Sequence, residues 1–426
     1  MAKKTRTNKI KWLIGLSFTA LFFYYSINLM RQEFKLGLFL LIGWALGYAI
    51  SRSEIGLSSG FAEFFTKGSS PRLNGLLVLF GLGALSAAIV HYIYHLNGAV
   101  PNFRAASDQS TIPGTSAVVP VNLGLIVGSF IFGVGLTLNS GCGLGTLQNI
   151  GQGNLRYIWT LFFLIIGTIP GQWVSYHLDQ SVIHDYGFRL YLPDALGYRG
   201  TFLFIFFILI FIVFLTKKYK QIRKRKGTYQ STESNILTDS YDETASKSLR
   251  KKFFFSVYKK YWPRIVTHLL ITLCLLFALT LTGETLEVTE AFKKPAVAFF
   301  QTLGVSFNNP AFNSTIETVE EGLLNNYLIR QNIGIVVGAA TFGITSLKFK
   351  FSFSEGMKER LLRIVSGLLM GFGTVLASGC MMGALYSGIV NLSLSGWVVF
   401  AFMSLGGYLT VRVMNGKVGT IPEIEN

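Results

Sequence analysis

The chain has 426 residues, of which 50% are hydrophobic and 14% are charged, and its formal net charge is +17 at pH 7. Soluble domains carry about 25% charged residues, so this composition excludes an ordinary soluble domain and favours a protein whose solvent is lipid. The Lys and Arg residues lie in the N-terminal tail and between apolar stretches, which argues against a nucleic-acid-binding protein.

Ten apolar stretches approach or reach the length of about 20 residues that a helix needs to cross a bilayer. They cover residues 12–30, 36–51, 74–95, 120–138, 156–177, 199–216, 264–282, 330–347, 361–377 and 395–414. We therefore predict an all-α polytopic membrane protein with about ten transmembrane spans.

The first apolar stretch is similar to a signal peptide, because basic residues precede it. Arg31-Gln32-Glu33 follows it in place of a small-residue cleavage site, so we expect a retained first helix. With the N-terminus in the cytoplasm, the segments assigned to the cytoplasm hold 29 of the 38 Lys and Arg residues. This bias predicts a multi-pass protein with both termini in the cytoplasm.

Four regions follow from these stretches. Residues 1–35 form a basic tail with an extra transmembrane helix, and residues 36–216 form a first transmembrane half. Residues 217–263 form a cytoplasmic linker, and residues 264–426 form a second transmembrane half. The linker has basic ends and a polar middle with the composition of a disordered segment. We interpret the basic ends as topology signals, with docking of a cytoplasmic partner as the alternative.

Two segments resemble each other at a fixed offset of 238 residues, because Ser140-Gly141-Cys142 matches Ser378-Gly379-Cys380. In the predicted orientation the helix before Cys142 runs inward and the helix before Cys380 runs outward. We infer an internal duplication with inverted repeats, an arrangement typical of transporters. The further matches are Gly133 with Gly371, Gly135 with Gly373, Gly145 with Gly383, Leu147 with Leu385, Trp159 with Trp397 and Phe162 with Phe400.

Segments 139–155 and 378–394 are too short and too rich in glycine to span a membrane, yet they are too apolar for ordinary loops. We predict re-entrant half-helices there. Non-helical backbone at membrane depth is tolerated only inside protein or beside a cavity. Both segments should therefore line an internal path.

A half-helix that begins near each Ser-Gly-Cys triplet would present unpaired backbone N–H groups and the positive end of its dipole. Glycine lets an anion approach the backbone closely, so two opposed half-helix starts predict an anion site without a buried Lys or Arg. We predict no catalytic residue, no metal and no cofactor. The candidate substrate-binding residues are Ser140, Gly141, Cys142, Gly143, Gln148, Asn149, Ser378, Gly379 and Cys380.

The thiols of Cys142 and Cys380 are suited to a polarizable sulphur atom, since a neutral thiol is a weak, soft donor whereas a thiolate would repel an anion. Simple packing is the alternative for both, and it is the expected role of Cys274 in its apolar run. Capping of the re-entrant segments is the alternative to ligand contact for the polar residues nearby, which are Asn139, Gln148, Asn149, Gln152, Tyr386, Ser387 and Asn391.

The predicted spans hold almost no ionisable residue, although proton-coupled carriers usually need one. His91 and His95 lie four residues apart near the external end of one span, a spacing that permits metal binding or pH sensing. We expect an interfacial position for them instead. Arg52 and Glu54 are expected to pair locally. The external loop 283–330 is mildly acidic, and no function follows from it.

The motifs SGCGLGTLQNIGQGN and ASGCMMGALYSGI, with GxG before each and Trp after each, resemble the YeeE/YedE sulphur-transport family over roughly residues 36–177 and 330–414. The resemblance implies a bacterial cell-membrane protein with an hourglass-like fold. It also implies uptake of thiosulfate along a line of cysteines that includes Cys142 and Cys380. A small cytoplasmic sulphur-carrier protein is an implied partner. Gly56 stands where the family has a further cysteine, which leaves other sulphur or selenium species open.

We therefore predict a transporter or channel, not an enzyme, that takes up thiosulfate or a related sulphur-containing anion. A selenium-compound transporter of the same family is one alternative. A membrane thiol oxidoreductase that uses Cys142 and Cys380 as a redox pair is the second, although the chain has no CxxC motif. A non-transport assembly or sensory protein is the third.

Overall fold

The computed structural model describes residues 2–53, 59–68, 71–103, 110–180, 187–227, 229, 262–346 and 349–414. Regular structure in this part of the chain is almost entirely helical. The described strands form one short parallel pair, β1 (Val100–Pro101) and β2 (Thr111–Ile112). The all-α fold predicted from the apolar stretches is confirmed.

Helices in the first part of the chain follow the predicted apolar stretches, with short additional helices between some of them. Their bounds are α1 (Ala2–Gln32), α2 (Phe34–Ser53), α3 (Ser59–Lys67), α4 (Pro71–Leu96), α5 (Leu123–Asn139), α6 (Gly143–Gly151), α7 (Tyr157–Asp179) and α8 (Leu192–Arg225). Helix α8 is kinked at Gly197, whose φ is 65°.

Helices in the second part include one π-helical segment, Met381–Ser387, which follows Cys380 directly. Short 3-10 turns lie at Thr115–Ala117, Glu290–Phe292, Pro310–Phe312 and Leu323–Asn325. The α-helices are α9 (Arg264–Thr282), α10 (Lys293–Thr302), α11 (Asn313–Glu320), α12 (Tyr327–Thr345), α13 (Met357–Leu376), α14 (Gly388–Val390) and α15 (Leu394–Val413).

Nine helical stretches in the described part are long and apolar enough to cross a membrane. The tenth predicted stretch, 12–30, lies within α1. Burial separates the spans: 67% of the most apolar window in Met357–Val390 is buried, against 11% in Leu192–Arg225. The stretch that contains α13 and the π-helix therefore lies at the centre of the protein, whereas α8 lies at its periphery.

Helices α5 and α13 pack closely and run antiparallel. Gly128 near the start of α5 lies against Ala377 just past the end of α13, and Gly135 near the end of α5 lies against Ser366 in the middle of α13. The missing side chains let the two backbones approach each other, as small residues do in membrane bundles. The antiparallel pair is the geometry that inverted halves require, while the duplication itself stays a prediction.

Two further helix pairs run parallel and use glycine in the same way. Gly371 of α13 lies against the carbonyl oxygen of Leu164 in α7, and Gly133 of α5 lies against the carbonyl oxygen of Met403 in α15. Gly133 and Gly371 are matched positions of the predicted repeat. These contacts place α5, α7, α13 and α15 in one central group, and this group carries both cysteine segments.

Arg52 lies at the end of α2, and its guanidinium lies over the ring of Trp262 at 4.6 Å from the centroid and donates to Tyr48 Oη at 2.6 Å. Its predicted partner Glu54, the substituted position Gly56, most of the linker 217–263 and the tail 415–426 lie outside the described residues.

Candidate functional site

The Cys142 segment consists of the end of α5, a break of three residues without helical structure, and the start of α6. Helix α5 ends at Asn139, and Ser140 adopts the left-handed conformation with a φ of 54°. Cys142 is extended and is the N-cap residue of α6, which begins at Gly143. The first N–H groups of α6 have no acceptor within the helix, so they are available to a ligand beside Cys142.

The chain turns back into the protein at this break. Thr160 in α7 donates its hydroxyl to Asn139 Oδ1 at 3.0 Å, which places the end of α5 level with Thr160. Gly143 lies against Leu164, one turn further along α7. The start of α6 therefore lies beside the first turns of α7. The re-entrant course of this segment stays a prediction.

The Cys380 segment repeats this geometry with a different helix type. Ser378 also has a φ of 54°, and Gly379 follows with a φ of 141°. Cys380 is extended and caps the π-helix, and its Sγ accepts the N–H of Met382 at 3.4 Å. Short π-helical segments often occur at functional sites. Both breaks thus place a cysteine directly before the first turn of a half-helix.

All three cysteines are thiols and not disulfides, and all are buried. Cys142 and Cys380 are each 1% exposed, so neither faces lipid or a membrane surface. Cys274 lies within α9, away from both breaks in the sequence, and packs into the apolar core as expected.

A single connector contacts both cysteine segments. This connector, residues 283–292, joins the end of α9 to α10. A Cβ on Gly143 would lie 2.9 Å from Thr289 Cγ2, and a Cβ on Gly383 would lie 3.5 Å from Glu287 Cγ. Because Glu287 and Thr289 are two residues apart, Gly143 and Gly383 lie within roughly 20 Å of each other. The connector therefore contacts both the start of α6 and the first turn of the π-helix.

The connector is held in place by hydrogen bonds from both sides. Gln331 donates to the carbonyl oxygen of Glu287 at 2.5 Å, and Asn332 donates to that of Val288 at 2.9 Å. The hydroxyl oxygens of Thr289 and Thr374 are 2.7 Å apart. Helices α12 and α13 thereby fix the connector between the two cysteine segments.

The predicted polar residues of the first segment divide into two groups. Asn139 donates to the carbonyl oxygen of Gly141 at 2.9 Å, and Asn149 donates to that of Gly145 at 2.7 Å and accepts from Asn154. These amides hold the break and the end of α6, which favours the capping interpretation. Gln148 has no side-chain hydrogen bond within the described part of the chain and keeps its amide available. Nothing lies within 4 Å of a Cβ on Gly145, so space opens beside α6.

In the Cys380 segment, the side chains of Ser387 and Asn391 donate hydrogen bonds to backbone carbonyl groups. Ser387 donates to the carbonyl oxygen of Leu286 at 3.0 Å, and Asn391 donates to that of Ser387 at 2.8 Å. Tyr386 is fully buried, and its hydroxyl lies next to Gly83 in α4. Ser387 thus ties the π-helix to the connector.

His91 is buried within the protein, while its interfacial depth stays a prediction. It is 0% exposed, and its Nδ1 is 2.9 Å from Tyr191 Oη. His95 packs against the ring of Tyr198 with centroids 5.3 Å apart. Among the described residues no group of three or more His, Cys, Asp and Glu side chains could hold a metal ion.

Glu287 is the residue that the sequence analysis missed. Its side chain is half-buried and lies over Gly383, three residues past Cys380. Burial, together with the nearby Glu290 carboxylate, raises the pKa of the Glu287 carboxyl from 4.5 to about 7, against the opposing charge of Lys293. A signal was present in the sequence, because Glu284, Glu287 and Glu290 recur every three residues directly after an apolar span.

We expect Ser378→Val to lower the melting temperature of the purified protein, because a β-branched residue in the left-handed region costs about 1–2 kcal/mol. Ser378→Gly is the matched control and should melt at the wild-type temperature or higher, since glycine adopts this φ freely. Thermal melting in detergent gives the measurement. Equal melting temperatures for the Val and Gly variants would show that Ser378 is not strained.

Comparison with known proteins places the chain among transport proteins. A family model described as Sulphur transport matches residues 52–409. A thiosulfate transporter, TsuA, of Escherichia coli is 22% identical over 373 residues, which cover 86% of this chain and 91% of that protein. A thiosulfate transporter, TsuA, of Spirochaeta thermophila is 22% identical over 392 residues, which cover 88% of this chain and 98% of that protein.

A second kind of relative matches only part of the chain. A probable transporter, YedE, of Salmonella typhimurium is 24% identical over 214 residues, which cover 49% of this chain and 47% of that protein. All of these relatives are named as transporters and none as an enzyme. The family match includes both cysteine breaks and the connector between them.

Proposed function

This chain belongs to the sulphur transport family, and from that premise we propose that it takes up thiosulfate, or a closely related sulphur-containing anion, across the bacterial cell membrane. The observation that carries the proposal is that one connector contacts the starts of both cysteine-capped half-helices. An anion between them would meet backbone N–H groups and buried thiols. The names of the two full-length relatives support thiosulfate as the first candidate.

The proposed path uses weak donors in place of tightly binding cations. The N–H groups at the start of α6 and of the π-helix stabilise negative charge through their dipoles. The neutral thiols of Cys142 and Cys380 contact the outer sulphur of the anion, because sulphur is soft and polarizable. Gln148 supplies an amide donor beside α6. Weak contacts of this kind bind an anion and also release it, as conduction requires.

The proposed direction of transport rests on orientation. The excess of Lys and Arg in the segments assigned to the cytoplasm supports a cytoplasmic position for both termini. The antiparallel course of α5 and α13 agrees with the predicted alternation of the spans. In this orientation the connector approaches the site from the external side. Contact of the basic linker with a small sulphur-carrier protein stays a prediction.

Growth of a bacterial strain that lacks its own sulphur-anion transporters tests the function. We expect expression of this chain to restore growth on thiosulfate as the sole sulphur source, with sulfate and selenite supplied in parallel cultures. Uptake of a selenium compound in preference to thiosulfate would favour the selenium alternative. No restored uptake on any source, with the protein present in the membrane, would contradict the proposal.

A thiol oxidoreductase is the second candidate, because both cysteines are buried thiols at comparable positions. It requires that Cys142 and Cys380 form a disulfide during turnover. Denaturing the protein during uptake in the presence of an alkylating reagent, followed by mass spectrometry, distinguishes the two functions. A transporter leaves both cysteines alkylated, whereas an oxidoreductase leaves a disulfide-linked peptide pair.

A further inference from the structure

The carboxyl group of Glu287 lies where an anion that passes the Cys380 segment would meet it. Glu287 Cγ and Cδ would lie 3.5 and 3.8 Å from a Cβ on Gly383, in the first turn after Cys380. Thr289, two residues along, touches Gly143. The connector therefore brings one acidic side chain to the first turn of the π-helix, two residues from its contact with the start of α6.

This position conflicts with anion passage when the carboxyl is ionised. Thiosulfate is a dianion, and a carboxylate in a partly desolvated interior repels it much more strongly than in water. A protonated carboxyl has no charge and supplies an O–H donor. The protonation state of Glu287 thus decides whether this part of the path repels or attracts an anion.

The side chain of Glu287 is not neutralised by a direct partner. Its carboxylate makes no hydrogen bond or ion pair within the described part of the chain, whereas its neighbours are paired. Glu284 accepts from Lys35 at 2.7 Å, and Glu290 accepts from Lys293 at 2.7 Å. The titratable and charged groups around Glu287 are Glu284, Glu290, Lys293 and Lys294 of the connector and α10, and Tyr327 of α12. Lys35 of α2 contacts two of these groups, Glu284 and Tyr327.

We propose that Glu287 is the proton-sensing residue of the anion path, so that the anion passes the Cys380 segment when this carboxyl is protonated and is repelled when it is ionised. The inference rests on the proposed function, because it assumes an anionic substrate. It places the ionisable group of the path in a connector and not in a transmembrane helix. The proton comes from the external solution and leaves Glu287 again when the carboxyl ionises, so no redox step is involved.

The sign of the pH dependence follows from the direction of protonation. The raised pKa of about 7 means that the carboxyl is largely protonated below neutral pH and largely ionised above it. Uptake should therefore be greatest under mildly acidic conditions. Above the pKa the protonated fraction falls about tenfold per pH unit, and the uptake rate should fall with it.

Uptake of labelled thiosulfate by proteoliposomes, measured between about pH 5.5 and about pH 8.5, tests this proposal. We expect wild-type uptake to fall about tenfold or more over the alkaline part of this range. Glu287→Gln, which is neutral at every pH, should lose this dependence. Glu290→Gln is the matched control. Uptake by this variant should still depend on pH. The midpoint of its pH profile should lie at lower pH, because a negative charge next to Glu287 is gone.

An unchanged pH profile in Glu287→Gln, with active transport, would overturn the proposal. A second measurement tests the role of Glu287 independently of thiosulfate transport. Infrared difference spectra should show a protonated-carboxyl band that titrates near neutral pH and is absent from Glu287→Gln. If the wild-type protein takes up no thiosulfate at any pH, the proposed substrate is wrong. Absence of the titrating band then overturns the role of Glu287 independently.

Discussion

Replacing Cys142 or Cys380 with alanine should reduce thiosulfate uptake by about tenfold or more while leaving the protein folded. Each thiol is 1% exposed and lies directly before the first turn of a half-helix, so an anion held there loses a buried donor. A lost buried hydrogen bond costs about 1–3 kcal/mol, and each 1.4 kcal/mol is about a tenfold change in an equilibrium constant. Initial uptake rates in proteoliposomes give the measurement.

Two controls separate chemistry from packing in this experiment. Cys274→Ala removes a buried thiol of the same size from α9 and should transport at the wild-type rate. Cys142→Ser and Cys380→Ser keep a donor but replace a soft sulphur with a hard oxygen, so their rates should be intermediate. Full uptake by the Cys142→Ala/Cys380→Ala double variant would show that the thiols only pack, and the stepwise path would be wrong.

Introducing a methyl group at two close helix crossings of the central group should strongly damage the fold. Gly371→Ala would place Cβ onto the carbonyl oxygen of Leu164, and Gly133→Ala would place it onto that of Met403. Backbone atoms cannot rotate away as a flexible side chain can, so α13 must separate from α7, or α5 from α15. Overpacking of this kind costs about 1–3 kcal/mol or more.

Gly145→Ala is the matched control for these crossings. It adds the same methyl group to α6, where nothing lies within 4 Å of the new Cβ. We expect a lower melting temperature and a reduced yield of dispersed protein from Gly133→Ala and Gly371→Ala, and wild-type values from Gly145→Ala. Wild-type stability of all three variants would show that the helix crossings relax more easily than the close backbone contacts indicate.

Much of the architecture was predictable because lipid leaves few solutions for an apolar chain. The breaks at Ser-Gly-Cys were recognisable from glycine content and from the repeated triplet. The backbone conformation of these breaks was not predictable from the sequence. The left-handed conformation is adopted by Ser140 and Ser378, although glycines that adopt it more easily lie next to them. The π-helix after Cys380 had no evident signature. Such features depend on contacts with distant helices rather than on local preference.

The candidate site was predictable only in part, for the same reason. The burial of His91 depends on Tyr191, which lies 100 residues away in the chain. Asn149 was predicted as a ligand, but its amide bonds to Gly145 and Asn154. Glu287 belongs to an external loop by sequence, and only the packing of the connector against α12 and the π-helix brings it beside Gly383. Contacts between residues far apart in the chain leave no pattern in the local sequence.

The length of α8 has a consequence for the cytoplasmic side of the membrane. From the kink at Gly197 to Arg225 the helix extends for about 42 Å, whereas the hydrocarbon layer is about 30 Å thick. Its last turns, rich in lysine and arginine, therefore extend past the hydrocarbon layer to the level of the lipid headgroups. Tyr219 donates to the carbonyl oxygen of Phe65, and Arg223 packs on Gly68, so α3 and the residue after it hold this end of α8 in place. In the proposed orientation, the end of α8 keeps a fixed group of positive charges at the cytoplasmic surface, where anionic headgroups lie close by.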